Sequence, residues 1–266
     1  MANNLAARYS TIEDRLKSLE QHPAVALAVR QQAILGRIAA LAQALGLDAG
    51  ALQAAATPEG ASGATPAAPR PAALSVTPDA SPTQQRLEAE LIGKGCVSAA
   101  RFVRVPADYY DQPLEFRRDC LGAASIDHLC KSIVMENTRA HESVKGWDDP
   151  RHSKYYCVIV QYTARLHADK LKVALCELGG RKFGRQYYNM RLAPEEVNDA
   201  LTGYSHNAVS PIGLKENLPI ILSSKITQLD PEFFWMGAGE VDLKVGMSVK
   251  EFIEAYQPFV IDCTYD

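Results

Sequence analysis

One lysine lies within an apolar segment that has the pattern of a β-strand. Read with a period of two, residues 129–135 place Lys131 on the same face as Leu129, Ile133 and Met135. An ammonium on an apolar face is unfavourable unless it meets an anion, carbonyl oxygens or a wet cleft. Lys131 is therefore a candidate site residue; the alternative is a lysine at a strand end that reaches solvent.

Two loops rich in small residues follow this segment. Residues 203–213 read Gly-Tyr-Ser-His-Asn-Ala-Val-Ser-Pro-Ile-Gly. Backbone N–H groups in such a tight loop can converge on an oxyanion or on a ribose phosphate. Residues 237–242 read Gly-Ala-Gly-Glu-Val-Asp and form a second small-residue turn, which ends on an acidic side chain. Ordinary structural turns have similar compositions, so neither loop identifies a ligand by itself.

Helices and strands intermix in the part of the chain that carries these features, residues 84–266. The predicted helices are 84–93, 169–178, 194–202 and 248–256, and the predicted strands are 100–105, 129–135, 155–162, 220–222, 233–236, 241–245 and 259–263. The order shows no regular βαβ repeat. We therefore expect an α/β fold with a mixed sheet and helices packed around it.

A change in composition separates this domain from the start of the chain. Residues 50–83 hold 11 alanines and six of the 15 prolines but three charged residues. Such a segment has too few large apolar groups to offset the entropy of ordering, which predicts a flexible linker.

The first 49 residues are predicted to be helical. Residues 10–13, Ser-Thr-Ile-Glu, form a capping box, and a second helix is expected from Pro23 to Leu45 with Gly46 as its stop. Two helices of this size make a thin core by themselves. Their apolar stripe favours docking on a partner, or coiled-coil-like pairing with itself, over a local hairpin.

The composition is that of a soluble protein. The chain has 266 residues, of which 47% are hydrophobic and 22% charged, with a net charge of −3. No apolar run approaches the roughly 20 residues of a membrane-spanning helix. The first eleven residues lack the apolar core of a secretory signal, and Glu13 and Asp14 argue against a transit peptide. We expect a cytoplasmic protein that does not associate with membranes.

The cysteines and histidines do not form a recognisable ligand pattern. The six cysteines are Cys96, Cys120, Cys130, Cys157, Cys176 and Cys263. They are scattered, without a CxxC pair, and most lie in apolar runs, so buried reduced thiols are expected rather than disulfides. The six histidines form no HxH or HxxxH pair. We expect no metal and no cofactor.

Charge is distributed unevenly along the chain. Residues 131–191 carry 12 Lys and Arg against six Asp and Glu, whereas residues 192–266 carry four against 12. A local positive surface is what contact with a polyanion requires, so residues 131–191 are a candidate nucleic-acid surface. An ordinary solvated surface remains the alternative.

Four segments in order resemble the YbaK/prolyl-tRNA synthetase-associated domain family of aminoacyl-tRNA deacylases. They are Cys130-Lys131-Ser132-Ile133-Val134, the loop from Gly203 to Ser210-Pro211-Ile212-Gly213, Leu218-Pro219-Ile220-Ile221, and Gly237-Ala238-Gly239 to Asp242. The resemblance covers about residues 96–263. It implies a compact α/β domain that hydrolyses the ester of a mischarged tRNA in trans, often the proline tRNA carrying alanine, cysteine or a similar small amino acid.

The resemblance also implies roles for individual residues. Lys131 corresponds to the pocket lysine that helps to hold the terminal aminoacyl-adenosine, and a water, not an enzyme nucleophile, attacks the ester. The implied substrate-binding residues are Gly203, His206, Asn207, Ala208, Val209, Ser210, Pro211, Gly213, Gly237, Ala238, Gly239 and Asp242. Backbone amides of residues 203–213 would surround the oxyanion.

This chain departs from the family pattern at one point. Many bacterial members have Gly-Gly where this sequence has Asn207-Ala208, and side chains there narrow the approach to the backbone. Two hypotheses follow. One is a trans-editing deacylase whose residues 1–49 dock on a synthetase assembly, and the other is a non-catalytic adaptor that binds tRNA or a synthetase.

Overall fold

Two β-sheets and the helices around them make up the part of the chain that the structure, a computed structural model, describes: residues 73–265. The predicted helices within residues 1–49 and the predicted linker as far as residue 72 lie outside this range. The helices are α1 (Pro82–Gly93), α2 (Leu114–Leu121), α3 (Ala168–Leu178), α4 (Glu195–Thr202) and α5 (Val249–Tyr256). The strands are β1 (Arg101–Arg104), β2 (Cys130–Asn137), β3 (Tyr155–Gln161), β4 (Met190–Leu192), β5 (Ile220–Ser223), β6 (Phe233–Gly237), β7 (Leu243–Ser248) and β8 (Phe259–Ile261).

The larger sheet is mixed, with the strand order β4-β2-β3-β5-β8. β2 pairs antiparallel with both β3 and β4, while β3, β5 and β8 run parallel. Cys130 lies opposite Gln161, and Glu136 lies opposite Tyr155. This sheet, with helices packed around it, confirms the predicted fold class.

The smaller sheet is antiparallel, with the order β1-β7-β6. The sequence predicted its strands but assigned them to one mixed sheet, because a period-two pattern does not reveal which strands pair. β7 also begins at Leu243 rather than at the predicted Val241. Val241 is 45% exposed in the turn before the strand, so its hydrophobicity was misleading.

The main core lies between the two sheets and α1. Ile159 and Leu222 of the larger sheet share one buried cluster with Phe234 and Met247 of the smaller sheet and with Leu87 of α1. Burying each such side chain contributes about 1.5–3 kcal/mol. A second cluster packs α3 against the other face of the larger sheet. The larger sheet is therefore covered on both faces.

The end of the predicted linker packs on the domain. The N–H of Leu74 donates to the Val97 carbonyl, and the N–H and hydroxyl of Thr77 donate to the carboxylate of Glu88 at 2.7 and 3.0 Å. Ser81 then caps α1. Leu74, Thr77 and Ser81, which lie within the predicted linker, thus make specific contacts with the domain that an average composition does not reveal.

Two elements were not predicted. α2 is strongly charged, with Leu121 as its one buried residue, so it lacks a clear apolar stripe. β4 has three residues, which is too short for a recognisable alternation. No helix in residues 73–265 has the length and hydrophobicity that a membrane crossing requires.

All six cysteines are free thiols. Five are buried, as the apolar runs around them predicted, and Cys120 is half-buried. Burial raises the pKa of the Cys96 and Cys263 thiols to about 11. Such thiols are protonated and weakly nucleophilic at neutral pH.

Candidate active site

A cavity of about 370 Å³ opens beside the first half of β2. Residues 131–134 form one side, and His206, Asn207 and Val209 of the 203–213 loop form another. β4 covers β2 from Met135 onward. The cavity thus occupies the place where the next strand of the sheet would lie.

The open edge of β2 presents backbone polar groups to the cavity. Tyr162 donates its N–H to the carbonyl of Leu129 on the β3 side, and Ala193 donates to the carbonyl of Val134 on the other side. Because antiparallel pairing alternates, the N–H and carbonyl of Ser132 point to this second side, in the gap between the Leu129 bridge to Trp235 of β6 and the start of β4. The edge therefore offers a donor and an acceptor to a bound molecule.

The Ser132 side chain is an unusual member of this edge. It is 8% exposed, lines the cavity, and its Oγ has no hydrogen-bond partner among the described residues. A buried hydroxyl without a partner costs free energy of about 1–3 kcal/mol. A substrate hydroxyl or carbonyl would satisfy it.

Lys131 reaches the same cavity. It alternates along β2 with Cys130 and Ser132, as predicted, and its side chain is half-buried. Its Nζ lies 5.7 Å from the centroid of the Tyr162 ring, and it makes no ion pair within the described residues. An aromatic neighbour stabilises the ammonium weakly, so its charge is available to a phosphate or an ester oxygen.

The 203–213 loop is closed across its base by Tyr204. The loop starts at Gly203, which ends α4 with φ +74°. The buried Tyr204 hydroxyl lies 2.7 and 2.9 Å from the carbonyl oxygens of Ile212 and Gly213, and Arg86 of α1 contacts both Tyr204 and Gly213. This base fixes the loop and leaves residues 206–209 at the cavity.

The tip of the loop leaves two amides unused. Asn207 has φ +63°, a backbone conformation that asparagine tolerates better than most residues. Ala208 donates its N–H to the Ser205 carbonyl and accepts from the N–H of Gly239. Within the described residues, the N–H groups of Asn207 and Val209 make no hydrogen bond. They are candidate donors to an oxyanion.

The second small-residue turn packs behind this tip. Gly237 lines the cavity, and Gly239 has φ +83° with the Tyr204 ring against it. Asp242 is different: its carboxylate pairs with Arg104 at 2.7 Å, and both side chains are nearly half exposed. The acidic position that the resemblance placed near the substrate is thus paired with Arg104 and is not among the residues that line the cavity.

The predicted site residues fall into three groups. Those that line the cavity are Lys131, His206, Asn207, Val209 and Gly237. Those in the adjoining loop segments but not in the lining are Gly203, Ala208, Ser210, Pro211, Gly213, Ala238 and Gly239, and Asp242 lies apart. The buried Ser210 hydroxyl accepts from the Ile212 N–H, which gives it a role in loop structure.

Several lining residues were not predicted. Tyr110 and Tyr162 form an aromatic wall, and Glu195 and Asn198 reach the cavity from α4. The last two are three positions apart, which puts them on one helix face, a signal that the sequence did contain. Tyr110 comes from a short turn, Tyr109–Asp111, and no local pattern connects it to the cavity.

The cavity contains polar groups but not an activated protein nucleophile. Ser132 has no histidine partner, and Ser210 is engaged with the backbone. Burial raises the pKa values of Tyr110 and Tyr162, so both stay neutral donors. Within residues 73–265 no cluster of three His, Cys, Asp or Glu residues could hold a metal ion.

A family model for the aminoacyl-tRNA editing domain matches residues 122–255, just over half of the chain. The chain therefore belongs to the aminoacyl-tRNA editing domain family, as the four sequence segments indicated. The matched region contains β2, the 203–213 loop and the second small-residue turn. A comparison with curated protein sequences finds no significant match.

Solved structures share the fold at low sequence identity. One is the crystal structure of a candidate trans-editing enzyme for prolyl-tRNA synthetase, with a TM-score of 0.54, 20% identity, and coverage of 71% of this chain and 100% of that one. Another comes from computational grafting of linear epitopes onto scaffold proteins, with a TM-score of 0.52, 19% identity, and coverage of 70% and 99%. These similarities show that the described domain has the same fold as these two structures.

Proposed function

We propose that this protein hydrolyses the ester bond of mischarged aminoacyl-tRNA in trans, with a small amino acid such as alanine or cysteine on the proline tRNA as the expected substrate. The supporting observation is the cavity that holds the unpaired Lys131 ammonium beside the unused amides of Asn207 and Val209. The family membership supports the general reaction, and the choice of amino acid and tRNA is our proposal.

In this mechanism water attacks the ester carbonyl. An aminoacyl ester is already activated, so a positioned water and a few oriented dipoles suffice. The N–H groups of residues 207 and 209 would stabilise the oxyanion, and loss of one such donor typically costs about 10²–10³ in rate. The terminal ribose hydroxyl of the substrate would assist, with Lys131 holding the terminal nucleotide as a positioning charge and not as a base.

The cavity suits a small aminoacyl group. Its volume of about 370 Å³ is near the lower end of the roughly 300–1,000 Å³ that ligand pockets span. The terminal nucleoside must share this space with the amino acid. The Tyr110 and Tyr162 rings and Leu192 supply the apolar surface, which leaves little room for a long side chain.

The tRNA body would lie along the positive loops next to β4. Residues 138–154 and 179–191 carry eight Lys and Arg against three Asp and Glu. Asn137 joins the two loops through hydrogen bonds to Tyr187 and Asn189, and β4 leads from them to the cavity. Phosphates of the acceptor stem are the expected ligands of these charges.

The predicted N-terminal helices complete the proposal. Residues 1–49 would dock on a synthetase assembly, and the predicted linker would keep the editing domain near newly charged tRNA in the cytoplasm, which raises its effective concentration. A pull-down from cell extract that compares the full chain with one starting at Ala73 tests this part. Equal recovery of synthetases by both chains would contradict it.

The catalytic proposal is tested with tRNAs charged with alanine, cysteine or serine. The full chain should hydrolyse at least one of them well above the uncatalysed rate, and Lys131→Ala should lower kcat/KM by about tenfold or more. Lys172→Ala, which removes a lysine from α3, is the matched control. Binding of tRNA without hydrolysis of any substrate would favour the adaptor hypothesis instead.

A further inference from the structure

A buried lysine lies behind the loop that forms the cavity wall. Lys244 is near the start of β7, and 3% of it is exposed. Its Nζ donates to the hydroxyl of Tyr110 and to the carbonyl of Val241, each at 2.8 Å. Burying an ammonium this deeply is unfavourable. None of the steps proposed above uses it.

Tyr110 connects Lys244 to the tip of the loop. The Tyr110 hydroxyl donates to the carbonyl oxygen of Asn207 at 2.8 Å. An ammonium has no lone pair and can act only as a donor. Because Lys244 occupies the acceptor side of the hydroxyl, the hydroxyl must donate its hydrogen elsewhere; the Asn207 carbonyl accepts it at 2.8 Å, and the Tyr162 hydroxyl is a second neighbour of Tyr110.

This bond fixes the orientation of the loop backbone. The Asn207 carbonyl and the Ala208 N–H belong to one planar peptide unit, which Tyr110 holds at one end and Ser205 at the other. The next unit joins the Ala208 carbonyl, held by Gly239, to the N–H of Val209. In a trans peptide these two groups point in opposite directions, so the Val209 N–H is aimed away from Gly239.

We propose that Lys244 and Tyr110 are positioning residues that hold the 207–209 backbone in the orientation needed to donate to the oxyanion. They act in sequence, with Lys244 orienting Tyr110 and Tyr110 holding Asn207. The catalytic consequence rests on the proposed function, whereas the structural hold on the loop does not. A glycine at residue 207 would leave the backbone more conformational freedom. Here the hydrogen bond from the Tyr110 hydroxyl restrains it.

The restraint that the Tyr110 hydroxyl places on the Asn207 carbonyl depends on the protonation of Lys244. The charged and titratable groups around it are the Tyr109 and Tyr110 rings, Arg117 and Asp242. Burial lowers the pKa of Lys244 to about 8; Asp242 opposes this fall and Arg117 adds to it. Above that pH a neutral amine has a lone pair, which competes with Asn207 for the Tyr110 hydrogen.

Amide hydrogen exchange tests the hold without reference to activity. The Ala208 and Gly239 amides, which are protected by hydrogen bonds in this loop, should exchange about fivefold faster or more in Tyr110→Phe. Tyr109→Phe, which removes a hydroxyl from the neighbouring ring, is the control and should leave both unchanged. Unchanged exchange in Tyr110→Phe would overturn the inference.

A double-mutant cycle tests the order of action. Because Lys244 works through Tyr110, the double variant Tyr110→Phe, Lys244→Met should exchange at the rate of Tyr110→Phe alone. Additive effects would contradict the sequential arrangement. After correction for intrinsic rates, protection of Ala208 should fall between pH 7 and 9 in the wild type and stay constant in Lys244→Met.

Kinetics connects the hold to catalysis. Tyr110→Phe should lower kcat about tenfold with KM within about twofold, since the amides act in the transition state. An unchanged kcat would overturn the catalytic part. If the wild type hydrolyses no aminoacyl-tRNA while exchange at Ala208 responds as expected, the proposed function fails and the positioning of the loop stands.

Discussion

Gly237 and Val209 approach so closely that a Cβ at residue 237 would lie 2.6 Å from the Val209 carbonyl oxygen. This contact joins the end of β6 to the loop that borders the cavity. A methyl group there must move the loop or the strand. The lack of a Cβ at residue 237 therefore allows the loop to approach β6 this closely beside the cavity.

Substitution of Gly237 should affect both stability and activity. Gly237→Ala is expected to lower the free energy of unfolding by about 1–3 kcal/mol, because an added methyl meets backbone, and to lower kcat/KM about tenfold. Urea denaturation and deacylation assays measure the two effects. Gly93→Ala is the matched control, since a Cβ at residue 93 meets nothing within 4 Å, and an equal loss in both variants would refute the explanation.

The unpartnered hydroxyl of Ser132 predicts a separation of stability from binding. Ser132→Ala should not lower the free energy of unfolding, and should raise it by up to about 1–3 kcal/mol, because an unpartnered buried hydroxyl is removed; it should also raise KM for the charged tRNA. Ser210→Ala, which removes an acceptor from the Ile212 N–H, should destabilise by about 1 kcal/mol. A large loss of stability in Ser132→Ala would reveal a structural role for this hydroxyl.

Lys244 should make the protein less stable at neutral pH than it would be without the charge. Its pKa falls from 10.5 to about 8 in the folded chain, which corresponds to about 3 kcal/mol of destabilisation at pH 7. The unfolded chain binds more protons between these two values, so wild-type stability should rise with pH across that window.

We therefore expect Lys244→Met to be more stable than the wild type at pH 7 by about 1 kcal/mol, after the loss of two hydrogen bonds. This advantage should disappear as the pH rises and reverse toward pH 10, because the wild type regains most of the roughly 3 kcal/mol. Urea denaturation of both proteins at pH 7, 8.5 and 10 measures it. A constant difference at all three values would show that Lys244 keeps an ordinary pKa.

The exposed pair between Asp242 and Arg104 predicts a small effect. Asp242→Asn should cost less than about 1 kcal/mol, because both side chains are nearly half exposed, and should leave kcat/KM within about twofold. The family resemblance implied a role for this acid near the substrate. A tenfold loss of kcat/KM would restore that role and show that the carboxylate turns toward the cavity when substrate binds.

The predictable part of the fold is the part that local patterns encode. Ser81 and Ser248 cap helices, and the alternation that placed Lys131 on β2 is present. The pairing of strands into two sheets was not predictable in this way, because β7 also pairs with β1, which is far from it in the sequence. The packing of Leu74 was not predictable either, because its hydrogen-bond partner, Val97, lies beyond the reach of a local pattern.

The candidate site likewise contains residues that local patterns predicted and residues that they did not. Lys131 and the 203–213 loop were predicted from a strand pattern and a run of small residues. Tyr110 was not, since it reaches Asn207 across 97 positions of the chain. α2 holds its turn in place through Arg117, which donates to the carbonyl of Tyr110. Such contacts depend on the folded arrangement and leave no local signal.

The open edge of β2 has a consequence for solubility. An unpaired strand edge can recruit a strand from another chain and start aggregation. Here the free stretch is short, ending where β4 begins, and His206, Asn207 and Val209 border it. The loop that would serve the substrate thus also shields the edge, so variants that loosen the loop should self-associate more readily than variants of equal stability elsewhere in the domain.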